Sequence, residues 1–267
     1  MKRTLAGQRV LITGASSGIG RALAVEAAAA GMRVAITARS ADKLREVADA
    51  LAAQGREVLA EPADVTNPAD RRRVLDAVVG RFGGLDVLIN NAGQGTQGLF
   101  VDSTEALLRR IMEVNFFAPA EMIRQALPLL RAGREPAVVQ IASMTAARAM
   151  PFWTEYSASK FAVRGLLQSL RAEFARFDID VVAMLPGVTQ TNLGSNLLNQ
   201  DGKIAFRFEN GMTTQYVAQQ TLKALRNGTP ETVLGWEARW MVRASRWLPG
   251  LVEWGLARVV RRRHPQR

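Results

Sequence analysis

The chain has 267 residues, 48% of them hydrophobic and 22% charged, a globular composition sized for one large domain or two small ones. It has no cysteine, which excludes disulfide frameworks, thiolate metal sites, cysteine nucleophiles and iron–sulfur clusters. Its one histidine, His264, lies in a basic tail and argues against Ser-His-Asp hydrolysis and His-rich metal binding. No metal is expected. The net charge of +11 is uneven: Glu231 to Arg267 holds eight arginines and three glutamates, leaving +6 for the other 230 residues. No apolar run reaches membrane-span length, and Arg9 interrupts the apolar stretch a signal peptide would need. The expectation is a soluble, cytoplasmic protein.

In chain order, strands are predicted at Val10–Thr13, Val34–Thr37, Glu57–Ala60, Val87–Ile89, Ala137–Ile141 and Ile179–Leu185. Between them lie helical stretches at Arg21–Ala30, Ala41–Ala53, Asp70–Arg81, Thr104–Arg131 and Thr154–Phe177. Continuous apolar strands alternating with helices predict an α/β fold, a single-domain Rossmann-like doubly wound parallel sheet covered on both faces. From 188 to 213 the pattern fails among scattered Asn and Gly, as in a lid. Helical periodicity resumes near Tyr216–Leu225, and Thr232-Val233-Leu234 suits a final strand. The division expected is a nucleotide-binding and catalytic domain over 1–235, with its lid, and a tail over 236–267.

Gly14-Ala15-Ser16-Ser17-Gly18-Ile19-Gly20 follows the first strand and opens the first helix. Small residues let the backbone approach a pyrophosphate, and a helix N-terminus offers it free N–H groups. An ordinary glycine turn is the alternative reading. Past the second strand, where an NAD-binding unit carries an acid, stand Ala38 and Arg39. An arginine pairs with a 2′-phosphate that an acid would repel, which favours NADP(H).

These residues resemble the short-chain dehydrogenase/reductase family, whose glycine spacing is Gly14-x-x-x-Gly18-x-Gly20. The resemblance runs from residue 8 to about 235. It implies adenine contact by Asp64-Val65, a cofactor wall from Asn91-Ala92-Gly93 after Asn90, and nicotinamide and phosphate contacts from Pro186-Gly187-Val188-Thr189 and Thr191. It also implies a homodimer or homotetramer associating through the helices at Thr104–Arg131 and Thr154–Phe177.

Tyr156 and Lys160 stand at i and i+4, on one helix face. A free tyrosine has a pKa of about 10, and the expectation is that the ammonium and an oxidised nicotinamide bring it toward a useful range. Ser143, after a strand, can hold a carbonyl oxygen against the tyrosine, and Asn115 resembles the residue that completes the family's tetrad. The activity implied is reduction of a ketone or aldehyde with hydride from NADPH and a proton from Tyr156, or the reverse oxidation. A 3-oxoacyl-carrier-protein-type reductase and a non-catalytic NADP-binding protein are the alternatives.

The substrate pocket is expected from Gln94, Ser143, Phe152, Trp153, Leu193 and Leu197, with Leu198, Ile204, Phe206 and Phe208 nearby in the lid. Their apolar character suits a lipophilic carbonyl or alcohol; burial of the lid on the core is the plainer reading. The tail holds Trp236, Trp240, Trp247 and Trp254 beside Arg239, Arg243 and Arg246, with a break expected at Pro249-Gly250. Peripheral contact with the inner face of a membrane competes with packing on the domain or a second subunit. Nucleic acid is disfavoured, because the basicity is local.

Overall fold

A computed structural model of the protein describes residues 3–191, 197–198 and 210–263. Seven parallel strands form one sheet: β1 (Arg9–Thr13), β2 (Arg33–Thr37), β3 (Val58–Ala60), β4 (Val87–Asn90), β5 (Ala137–Ile141), β6 (Asp180–Pro186) and β7 (Glu231–Leu234). Their order is β3-β2-β1-β4-β5-β6-β7. The pleat divides each apolar run between two cores. Val10, Ile12, Val87 and Ile89 join one cluster, while Leu11 and Leu88 join the other.

The helices sort by the same rule. α1 (Gly18–Ala29), α2 (Ala41–Ala52) and α7 (Thr214–Asn227) cover the first face through Leu23, Leu44, Val47, Val217 and Leu225. α3 (Pro68–Phe82), α5 (Ala118–Arg131) and α6 (Thr154–Phe174) cover the second through Val74, Met122, Leu130, Val163 and Leu167. This is the doubly wound sheet that the strand pattern predicts.

The single long helix expected over Thr104–Arg131 is broken in register. α4 (Glu105–Met112) passes through a π-helical turn, Glu113–Phe117, before α5. Such bulges often mark functional sites, and Asn115 lies within this one. After β7, Gly235 turns the chain at φ +92 into α8 (Trp236–Trp247), and α9 (Pro249–Arg263) follows the break expected at Pro249.

Strand order reverses between β1 and β4, so a crevice opens beyond their C-terminal ends. Asp86, just before β4, locks the opposite ends of these strands. Its carboxylate accepts from the Arg9 backbone N–H at 2.8 Å, the Arg9 guanidinium at 2.6 and 2.9 Å, and the Arg134 backbone N–H at 2.7 Å.

Candidate active site

The chain leaves β1 through Gly14 at φ +67. A Cβ there would lie 2.8 Å from the Ala92 Cα, so the turn can pass the end of β4 only as glycine. At Gly20 a Cβ would lie 2.2 Å from the Gly14 carbonyl oxygen. Gly20 therefore builds the turn and does not line the crevice. Asn91 ties the same corner: its side-chain amide donates to the carbonyls of Thr13 at 2.9 Å and Gly14 at 3.1 Å. Ser17 caps α1 in extended conformation without a side-chain bond to the helix, so the first N–H groups keep their capacity for an anion.

A cavity of ≈ 550 Å³ follows this corner. Gly14, Ser16, Ser17, Gly18, Ile19 and Thr191 line it together with Arg39, Asp64 and Val65. Asn91, Ala92, Gly93, Gln94, Tyr156, Lys160 and Leu197 complete the part expected from the sequence. Pro186, Gly187, Val188 and Thr189 do not line it. Thr189 is buried, donates to the Gly187 carbonyl at 3.0 Å and bridges to Met212, which closes the base of the segment expected to be a lid. Leu193, Ile204, Phe206 and Phe208 lie outside the described residues.

Sequence reasoning missed Ser40 and Lys43, which line the cavity beside Arg39. Ser40 is the N-cap of α2, again with no side-chain bond to the helix. Lys43 stands four residues past Arg39, a spacing that could have been noticed. Burial pushes the Asp64 carboxyl up, but bonds from Thr66 and the charges of Arg39 and Arg110 outweigh it and hold the group below the usual range.

Tyr156 and Lys160 are both buried and share the cavity. The Lys160 Nζ lies 5.4 Å from the Tyr156 ring centroid. Burial lifts the phenol to about 12, against a hydrogen bond with Ser143 that favours ionisation. Burial lowers the Lys160 ammonium to about 8. The expected lowering of Tyr156 by its lysine is therefore not what the protein alone produces; desolvation of the phenolate wins.

Asn115 has no exposed surface, and its side chain faces the backbone instead of the cavity. Its Oδ1 accepts from the Gln94 N–H at 2.9 Å, and its Nδ2 donates to the Gln94 carbonyl at 2.9 Å and to the Ser159 Oγ at 3.0 Å. Ser159 in turn donates to the Tyr156 carbonyl at 2.7 Å. Asn115 thus couples the cavity wall after β4 to the turn of α6 that carries Tyr156. Ser143 caps a short 3-10 turn, accepting from the Thr145 N–H at 3.2 Å.

Phe152 and Trp153 precede α6 and do not line the cavity. They pack with Tyr156 in an apolar cluster, Trp153 edge-on to it at 5.5 Å between centroids. Leu99, Met150, Leu197 and, from α9, Val260 complete the cluster. Glu253 of α9 also bonds Arg148 at 2.7 Å, so the tail returns to the side of the fold that holds Tyr156. Its tryptophans do not: Trp236, Trp240, Trp247 and Trp254 are between 60% and 78% exposed. Packing of these rings on their own domain is not observed.

Residues 8–202 match the short chain dehydrogenase family, and the chain belongs to it. Dehydrogenase/reductase SDR family member 7B of Bos taurus is 35% identical over 235 residues, covering 84% of this chain and 72% of that protein. The 11-beta-hydroxysteroid dehydrogenase A of Sesamum indicum is 36% identical over 74% of this chain and 59% of its own. Among solved structures, a short chain dehydrogenase from Burkholderia cenocepacia in complex with NADP superposes with a TM-score of 0.79 at 30% identity, over 89% of this chain and 100% of that one. A 3-ketoacyl-(acyl-carrier-protein) reductase from Brucella melitensis with NADH gives 0.77 at 27%, over 86% and 96%. Both nicotinamide nucleotides are thus represented among the neighbours. Among the described residues, no helix is long and apolar enough to cross a membrane.

Proposed function

We propose that this member of the short chain dehydrogenase family is an NADP(H)-dependent oxidoreductase that reduces a lipophilic ketone or aldehyde, or oxidises the corresponding secondary alcohol. The observation that carries this is one cavity holding both a glycine-built helix N-terminus and the buried Tyr156–Lys160 pair. The cradle suits a dinucleotide, because Gly14 and Gly20 let the turn after β1 close tightly against the end of β4 and the N-terminus of α1 opens into the same cavity.

Gly14 and Ser16 to Ile19 would hold the pyrophosphate, in a turn that Gly20 keeps tight, with Asp64 and Val65 at the adenine. Asn91 to Gly93 and Thr191 would frame the nicotinamide half; Pro186 to Thr189, which do not line the cavity, would support Thr191. Arg39, helped by Ser40 and Lys43, would take the 2′-phosphate; their cationic and N-cap character suits an anion. When bound, the nicotinamide ring supplies or accepts the hydride.

This chain's residues do the rest. Tyr156, protonated at neutral pH, donates its proton to the carbonyl oxygen as that oxygen gains negative charge. Ser143, already bonded to the phenol, orients the same oxygen. Lys160 favours phenolate once the proton has left and binds the ribose hydroxyls. Asn115 acts by position, fixing Gln94 and the first turn of α6.

The catalytic unit is residues 1–235 with its lid at 188–213, and the tail is 236–267. Exposed Phe117 and Phe161, at 49% and 43%, suit burial between copies and a homo-oligomer. Residence in the cytoplasm completes the reading. Purified protein should consume NADPH faster than NADH with long-chain or polycyclic ketones from a carbonyl panel. A protein that binds NADPH yet turns over none of them would be a binding protein, and this reading would fail.

A further inference from the structure

α8 and α9 carry a surface that the family's chemistry does not use. At about 3.6 residues per turn, Trp236, Trp240 and Trp247 fall within a sector of about 40° on α8. Arg243 lies about 20° outside that sector, with Arg239 and Arg246 further round on the same side, and all three rings are exposed. On α9, Leu251 and Trp254 are exposed in the same way, and the Arg258 guanidinium lies 5.4 Å from the Trp254 ring centroid. Arg261 and Arg262 extend the charge. The buried side of α8 is meanwhile fixed to the sheet: Ala238 packs beside Gly187, and Arg239 donates to the Val233 carbonyl at 2.9 Å. These rings are exposed on a held helix.

We propose that α8 and α9 form an interfacial anchor for an anionic lipid bilayer, held one helix away from the Tyr156 cluster. Tryptophans interleaved with arginines match a headgroup layer, where the indoles enter the acyl boundary and guanidiniums meet lipid phosphates. Charge complementarity selects the bilayer over a second copy of this chain, because two copies would oppose arginine to arginine. The position relative to the site follows from α9 itself. Val260 belongs to the cluster of Phe152, Trp153 and Tyr156, and Glu253 is bonded to Arg148. Trp254 and Leu251 lie on the side of α9 away from Val260 and Glu253, so a bilayer seated on the tail lies across this helix from the Tyr156 cluster, close enough to concentrate a lipid-dissolved carbonyl near the site. This second half rests on the oxidoreductase reading; the anchor itself does not.

The full chain is mixed with vesicles of equal parts phosphatidylglycerol and phosphatidylcholine, and with phosphatidylcholine alone. Four of the five tryptophans lie in the tail, so emission reports their burial along with sedimentation. The proposal expects co-sedimentation and a blue shift with the anionic vesicles, both reduced by salt. Binding should be about tenfold or more weaker in the triple variant Trp236→Ala, Trp240→Ala, Trp247→Ala. These side chains are exposed, so the variant should keep the wild-type melting temperature. Absence of sedimentation and blue shift at low salt would overturn the anchor, as would binding undiminished in the triple variant. A tail-dependent dimer that ignores vesicles would assign the face to a second copy instead. The active site is tested separately, with a long-chain ketone held in the vesicles and a water-soluble ketone. Only the first should lose rate in the triple variant; equal rates for both proteins on the first would overturn the delivery of substrate from the bilayer. Vesicle binding without turnover of either ketone would keep the anchor and refute the oxidoreductase reading.

Discussion

The Lys160 Nζ lies 5.4 Å from the centre of the Tyr156 ring, in a site where the two residues are 3% and 7% exposed. Burial acts on them in opposite directions, holding the phenol protonated and easing the ammonium toward neutrality. In both cases the uncharged form gains. A protonated phenol is the correct starting state for a donor in carbonyl reduction.

The tyrosine can be watched directly. The chain has two tyrosines, so Tyr216→Phe leaves Tyr156 as the only source of phenolate absorbance. Its pKa stands at about 12, so absorbance should stay low through pH ~10, where a free tyrosine is half ionised. A midpoint near the free value would contradict the burial argument. Adding oxidised cofactor should move the midpoint down.

Lys160 should be a liability to stability. Its pKa falls from 10.5 to about 8, which corresponds to roughly 3 kcal/mol against the charged form at neutral pH. Between these values the unfolded chain binds more protons, so stability rises as pH rises from 8 to 10.5 and is lost again on lowering pH. Lys160→Met should raise the melting temperature at pH 7 while abolishing activity, with the gain shrinking from about pH 8 upward and gone above 10.5. Thermal melts across this window check both signs.

On the proposed reading, cofactor choice rests on the basic residues after β2. Arg39→Ala should weaken NADPH by about 1.5–3 kcal/mol, the range for a charge-assisted contact, and leave NADH nearly unchanged. Lys43→Ala should act in the same direction. Fluorescence titration with both nucleotides decides it; equal losses would make Arg39 structural.

Asp86 should matter to stability and not to chemistry. Burial raises its carboxyl, but the bonds from Arg9 and Arg134 prevail and hold it below the usual range. Its contribution is thus present above the unfolded carboxyl value and lost as pH falls through the folded one. Asp86→Asn should cost about 2–4 kcal/mol near neutral pH and flatten the acid side of the stability profile. Denaturant melts at two pH values would show it.

The strands were legible because a doubly covered strand must be apolar on both sides, and β5 falls on the predicted residues. The glycine turn was legible for a similar reason, since Gly14 and Gly20 are imposed by contacts within a few ångströms. The π turn around Asn115 was not. It shifts hydrogen-bond register inside an unbroken helical pattern, and Asn115 finds its partner at Gln94 only once the fold has formed. The direction of the Tyr156 shift was also hidden, because spacing shows the neighbouring lysine but not the depth of burial. The tail's return through Val260 is a tertiary contact that periodicity cannot encode.

The account stands most directly on Tyr156 as proton donor. Wild type and Tyr156→Phe should be compared on one carbonyl substrate with NADPH, following the reduced-nicotinamide absorbance. Removal of the hydroxyl alone should lower kcat by roughly 10²–10⁴-fold while NADPH affinity stays nearly constant. A Tyr156→Phe enzyme that reduces the substrate at near wild-type rate would show that the proton comes from elsewhere.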